Sequence, residues 1–138
     1  MLSLTLLVAS LLAASEEPNS VTVSIQKLES SEGQVLCALF AGKDGFPAEL
    51  KKAKSVKRAA IKQKRSSCRF DAITSGRYAV AVIHDEDKDG ELDTNFLGIP
   101  SEPVGVSNNV RGSFGPPKFR DASFEVADQS LSLKISVE

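Results

Sequence analysis

The sequence predicts an all-β domain, a sandwich of about seven short strands. Three observations predict it. Short runs alternate apolar and polar residues with period two, the pattern of a strand with one buried face. No long segment follows the 3.6-residue helical period. Gly, Pro, Asn, Asp and Ser punctuate the runs at short intervals.

The elements follow in order. Val21, Val23 and Ile25 alternate with Thr22 and Ser24, a half-buried strand. After a polar turn, Val35 to Phe40 is continuously apolar, as expected of a central strand covered on both faces. Ala41 to Gly45 breaks it, and residues 48–54 can form one or two helical turns after Pro47. Short strands are expected near Val56–Ile61 and Ser67–Phe70, and a clear one at Tyr78–Ile83. Two alternating runs, Ala122/Phe124/Val126 and Leu131/Leu133/Ile135/Val137, flank Asp128-Gln129 and read as a hairpin. Between Gly98 and Pro117, ten of twenty residues are Gly, Pro or Asn, which predicts one long loop over residues 94–120. Phe96, Leu97, Ile99, Val104, Val106, Phe114 and Phe119 are expected to pack that loop on the sandwich. The architecture expected is immunoglobulin-like or prealbumin-like.

The chain has 138 residues, 41% of them hydrophobic and 25% charged, which fits one globular domain. A net charge of −1 argues against a nucleic-acid binder, which normally carries a basic excess. No apolar run reaches the roughly 18–20 residues of a transmembrane helix. One His and two Cys exclude a multi-His metal site or a Cys-rich zinc module.

Residues 1–15, MLSLTLLVASLLAAS, are apolar and end in small residues before Glu16-Glu17-Pro18. This is the layout of a cleaved secretory signal, leaving residues 16–138 as a single exported domain, periplasmic or secreted. The alternative is a short buried or anchoring helix. Export permits a disulfide between Cys37 and Cys68, the alternative being two small buried apolar side chains.

The most pointed segment is His84 to Asp93, with six acids and one Lys in ten residues. Asp85, Asp87 and Asp89 take positions 1, 3 and 5 of an Asp-x-Asp-x-Asp-Gly loop, with Gly90 at the sharp turn. Asp93 takes position 9, and the backbone carbonyl of Glu91 takes position 7. Alternate carboxylates curled about one centre suit calcium, which prefers six to eight oxygens. Position 12 is Phe96 rather than Glu, and no flanking helices are expected, so this is not an EF-hand. A solvated acidic turn is the alternative. Glu86 and Lys88, at the intervening positions, are expected to face outward.

Lys51, Lys52, Lys54, Lys57 and Arg58 open a basic stretch that runs to Arg65 without an acid. It reads as a solvated edge strand whose lysines discourage edge pairing, or as a contact for an anionic surface. His84 beside Asp85 can serve as a general base in a hydrolase-type enzyme, yet no nucleophile elbow, HExxH or Cys-x-x-Cys accompanies it. No aromatic platform for sugar is expected, with no Trp and one Tyr.

From Tyr78 to Val126 the chain resembles a bacterial family of exported proteins, domain of unknown function 2141. The residues that carry the resemblance are Gly76 to Val82, His84-Asp85-Glu86, Asp89 to Asn95, Gly98-Ile99-Pro100, Glu102-Pro103, Ser107-Asn108-Asn109 and Pro117-Lys118-Phe119. Upstream, Val35 to Phe40 and Gly45-Phe46-Pro47 also match. The resemblance implies an exported β-sandwich and assigns no activity. The Gly-x-Tyr step before a strand is also similar to transthyretin-like and carboxypeptidase-regulatory-like sandwiches, where the Tyr hydroxyl pins a corner. The function expected is an exported, non-catalytic binding or structural module with a calcium-binding acidic loop. The alternatives are a metal-free cell-envelope interaction domain using the 94–120 loop, and an enzyme using His84.

Overall fold

A computed structural model describes residues 19–91 and 102–137. Eight strands form two sheets: β1 (Asn19–Gln26), β2 (Gln34–Phe40), β3 (Ser55–Ala60), β4 (Ser66–Ile73), β5 (Gly76–Asp85), β6 (Val104–Val106), β7 (Phe124–Val126) and β8 (Leu131–Ser136). One sheet has the order β4-β1-β8; the other has β3-β2-β5-β6, with β7 also paired to β5. The β-sandwich predicted from the sequence is therefore the fold. The strand beyond the seven expected is β6, too short at three residues to show an alternation.

The inner faces meet in one core. Val21, Val23 and Ile25 of β1 face Val35, Cys37 and Leu39 of β2, and Val80 and Val82 of β5. Strands β2 and β5 are buried on their other face too, where Ala38, Phe40, Ala79 and Ala81 meet Val106 and Ala122. Double burial is why both read as unbroken apolar runs. Strand β4 needs an irregularity to keep its inner face inward. Asn19 of β1 pairs with Ile73 and Val21 with Phe70, so β4 carries one extra residue there. Ala72 takes a φ of 57° at this bulge, and Phe70 and Ile73 both reach the core despite their odd spacing.

Cys37 of β2 and Cys68 of β4 form a disulfide, with Cα atoms 6.5 Å apart, which ties one sheet to the other. Tyr78 pins the corner before β5, its hydroxyl donating to the Thr74 carbonyl at 2.8 Å.

The predicted hairpin of the last two runs does not form. β7 pairs antiparallel with β5, whereas β8 pairs in parallel with β1 in the opposite sheet. Alternation reports that each run has one buried face; here Val126 and Ile135 enter the same core from opposite sides. The long loop over 94–120 is also broken up. Within it lie β6, a 3-10 turn at Ser107–Asn109 and a single helical turn at Phe119–Ala122. Side-chain hydrogen bonds explain why this Gly- and Asn-rich stretch is ordered. Buried Ser107 Oγ accepts from Val80 N at 3.0 Å and donates to the Ala122 carbonyl. Asn108 Nδ2 donates to the Asp121 and Ser123 carbonyls at 3.1 and 3.0 Å. Asn109 Oδ1 accepts from Ser136 N at 2.9 Å. Phe114, expected to pack, is fully exposed, because it tops a turn that stands off the sheet. Phe96, Leu97, Ile99 and the apolar segment 1–15 lie outside the described residues.

Candidate metal centre

Strand β5 ends in the acidic loop. Its last residue, Asp85, is wholly buried, because Gln34 of the neighbouring β2 pairs with it in register. Asp85 Oδ2 accepts from Gln34 Nε2 at 2.7 Å and from Gly90 N at 2.9 Å. The second bond folds the loop back on its own start, and Gly90 adopts a φ of 77° to make the turn. Asp87 Oδ1 accepts from Asp89 N at 3.3 Å, and Asp89 Oδ1 from Glu91 N at 2.9 Å, so successive side chains cap successive amides.

The structure brings together Asp85, Asp87, Asp89 and Glu102, whose ligand-capable oxygens all lie within 4.8 Å of one another. Three of the four were expected. Glu102 was not, since it stands thirteen residues beyond Asp89 and no local spacing rule reaches that far. It arrives because the segment leading into β6 runs back along β5: His84 N donates to the Pro103 carbonyl at 3.0 Å, and Glu102 Oε2 accepts from Glu86 N at 2.7 Å. The available signal was a Glu-Pro step just before the apolar Val104-Gly105-Val106. The Glu91 carboxylate is not in the group and the residue is exposed. Asp93 lies outside the described residues. Glu86 and Lys88 are exposed, as expected of intervening positions.

Burial pushes the Asp85 carboxyl up, but the hydrogen bonding around it, from Gln34 and Gly90 foremost, together outweighs burial and holds the group below its ordinary value. It is thus an anion in an enclosed position, and its Oδ1 has no hydrogen-bond partner. A buried carboxylate oxygen without a donor is costly unless a cation faces it. Four carboxylates with one such oxygen can hold a hard divalent ion.

His84 is fully buried, with Nε2 2.8 Å from the Glu32 carbonyl, so the ring braces the turn before β2. The basic stretch is spread over more than one element, with Lys51 and Lys52 on a 3-10 turn at Leu50–Lys52 and Lys57 and Arg58 on β3. Lys52 pairs with Asp44 at 3.1 Å and Glu49 at 3.3 Å. Lys57 and Arg58 are consecutive on β3 and point to opposite sides. The Arg58 guanidinium packs against Gly90: its Nη2 would lie 2.7 Å from a Cβ placed there. Strand β3 is the sheet edge, as the lysine-rich reading of it predicted.

No curated protein and no solved structure matches the chain. A family model described as "Uncharacterized protein conserved in bacteria (DUF2141)" matches residues 23–134, which takes in both sheets and the acidic loop. The chain belongs to that family.

Proposed function

We propose that the protein is an exported, non-catalytic binding or structural module whose acidic loop takes a calcium ion. The observation that supports it is the unpartnered Oδ1 of Asp85, the buried aspartate of the four-carboxylate group. Calcium suits an all-oxygen site closed by a loop, whereas magnesium usually keeps several waters. The only His is enclosed and engaged with a backbone carbonyl, a poor position for a general base. The disulfide and the lack, among the described residues, of a helix able to cross a membrane are compatible with export.

A second reading keeps the loop metal-free, with Arg58 beside Gly90 offsetting part of the acidic charge. Thermal melting separates the two. The chelated protein is melted alone, with calcium and with magnesium. A site of the extracellular class has a dissociation constant of about 10⁻⁴ to 10⁻³ M, and calcium at 100 times that value adds about 2.7 kcal/mol. The calcium reading expects a rise in Tm of several degrees with calcium and a smaller one with magnesium. An unchanged Tm at saturating calcium would leave the metal-free reading standing.

A further inference from the structure

At the other end of β2 from the acidic loop, the outer face of the five-stranded sheet carries a groove of about 770 Å³. Its floor is aromatic. Phe46 packs edge-on against Phe40 of β2 at 5.3 Å, and Phe119 packs against Phe46 at 5.9 Å. Its wall is the turn from Gly112 to Pro117. The turn is tight enough that a Cβ on Gly112 would run into the Gly115 carbonyl. That closure lifts Phe114 to the tip, where its relative exposure is 104%; among the described residues the next most exposed large apolar side chain, Val56, is at 40%. Two prolines follow and stiffen the base.

The rim is cationic. Lys43, Lys118 and Arg120 line the groove, with the acid Asp121 3.5 Å from Arg120. In a chain of net charge −1 this is a local positive excess. The nearby acids Asp44 and Glu49 are taken up by Lys52, and a dense acidic run lies in the loop after Asp85. In β2 the acidic end is marked by Gln34, paired with Asp85, and the groove end by Phe40. Those six steps span about 20 Å at the rise of an extended strand.

We propose that the groove end docks on the surface of an anionic phospholipid bilayer. Phe114 enters the boundary between headgroups and acyl chains, and Lys43, Lys118 and Arg120 sit over the phosphates. The charge complementarity chooses the occupant. A fully exposed Phe on a groove that Lys and Arg also line combines the two attractions an interfacial anchor uses, apolar insertion and attraction to anionic lipid. The acidic loop, at the far end, faces away from the same negative surface. A water-soluble polyanion would satisfy the cations but give the exposed ring nothing to enter.

The test is vesicle flotation, with the protein in the form its host accumulates and chelator present throughout, so that calcium plays no part. Mixed phosphatidylglycerol/phosphatidylcholine vesicles are compared with phosphatidylcholine alone. The expected result is capture by the mixed vesicles only, weakened by salt. Phe114→Ser should lower partitioning about tenfold or more, and Lys118→Glu with Arg120→Glu should remove the preference for the anionic lipid. Phe114 is free of packing, so its variant should melt with the wild type. Equal capture by both vesicle types, or a Phe114→Ser protein that binds like the wild type, would overturn the proposal. In the second case, retention on a lipid-free polyanion would identify a soluble partner instead.

Discussion

Asp85 shows how a single side chain can be ordered by the fold and left incomplete by it. One carboxylate oxygen takes two donors, from Gln34 and Gly90, and the other takes none. Asp87 differs: it is exposed, and its one hydrogen bond closes a turn two residues long. Asp87→Ala should therefore leave the melting temperature of the chelated protein unchanged or slightly raised, because it removes one of several repelling charges. The same variant should lose the calcium-induced rise, and a titration followed by calorimetry checks both. The three aspartates were legible because their alternation is local. Glu102 was not, because its position depends on β5 and the segment before β6 lying side by side, which no short pattern encodes. His84 was legible only as a candidate base without an accompanying motif; its contact with the Glu32 carbonyl, 52 residues away, is carried by the β2–β5 pairing and not by any local pattern.

Among the elements, those with both faces buried were the clearest in sequence, since β2 and β5 leave no polar interruption. The short strands were not. β6 has three residues, and what holds it and the turn after it in place is hydrogen bonding rather than hydrophobic period. Ser107 is the centre of that arrangement, joining β5 to the helical turn. Ser107→Ala strands the Val80 amide and the Ala122 carbonyl in a buried place, so it should cost about 1–3 kcal/mol in a urea unfolding experiment. The disulfide acts between elements of different sheets. Closing a loop of 31 residues, it constrains the unfolded chain by roughly 3–4 kcal/mol on the chain-entropy account. Reduction, or Cys37→Ala with Cys68→Ala, should lower the unfolding free energy by about that amount while circular dichroism still reports a β-sheet protein.

For the molecule as a whole, the exported reading makes a direct prediction. Mass spectrometry of the protein from its native host should find residues 1–15 missing, with the new terminus near Glu16. An intact Met1 on a cytosolic protein would overturn it. The two-sheet architecture followed from composition and periodicity, but the order of strands did not. A half-buried strand reads the same in either sheet, which is why β7 and β8 were joined as a hairpin when they stand on opposite sides of the core. Their true arrangement has a consequence for how the protein is made. β1 pairs in parallel with β8, Ser20 N bonds to Ser130 Oγ 110 residues away, and Val137 N reaches back to the Gln26 carbonyl. One partner of β1, β4, follows within the same half of the domain, whereas the other, β8, is the last of the eight strands. Until β8 arrives, the three-stranded sheet is a β4-β1 pair with one apolar edge open. High contact order of this kind slows folding and lengthens exposure to aggregation. Until β8 is in place, that open edge of β1 offers its backbone to a second copy of the chain as readily as to its own last strand.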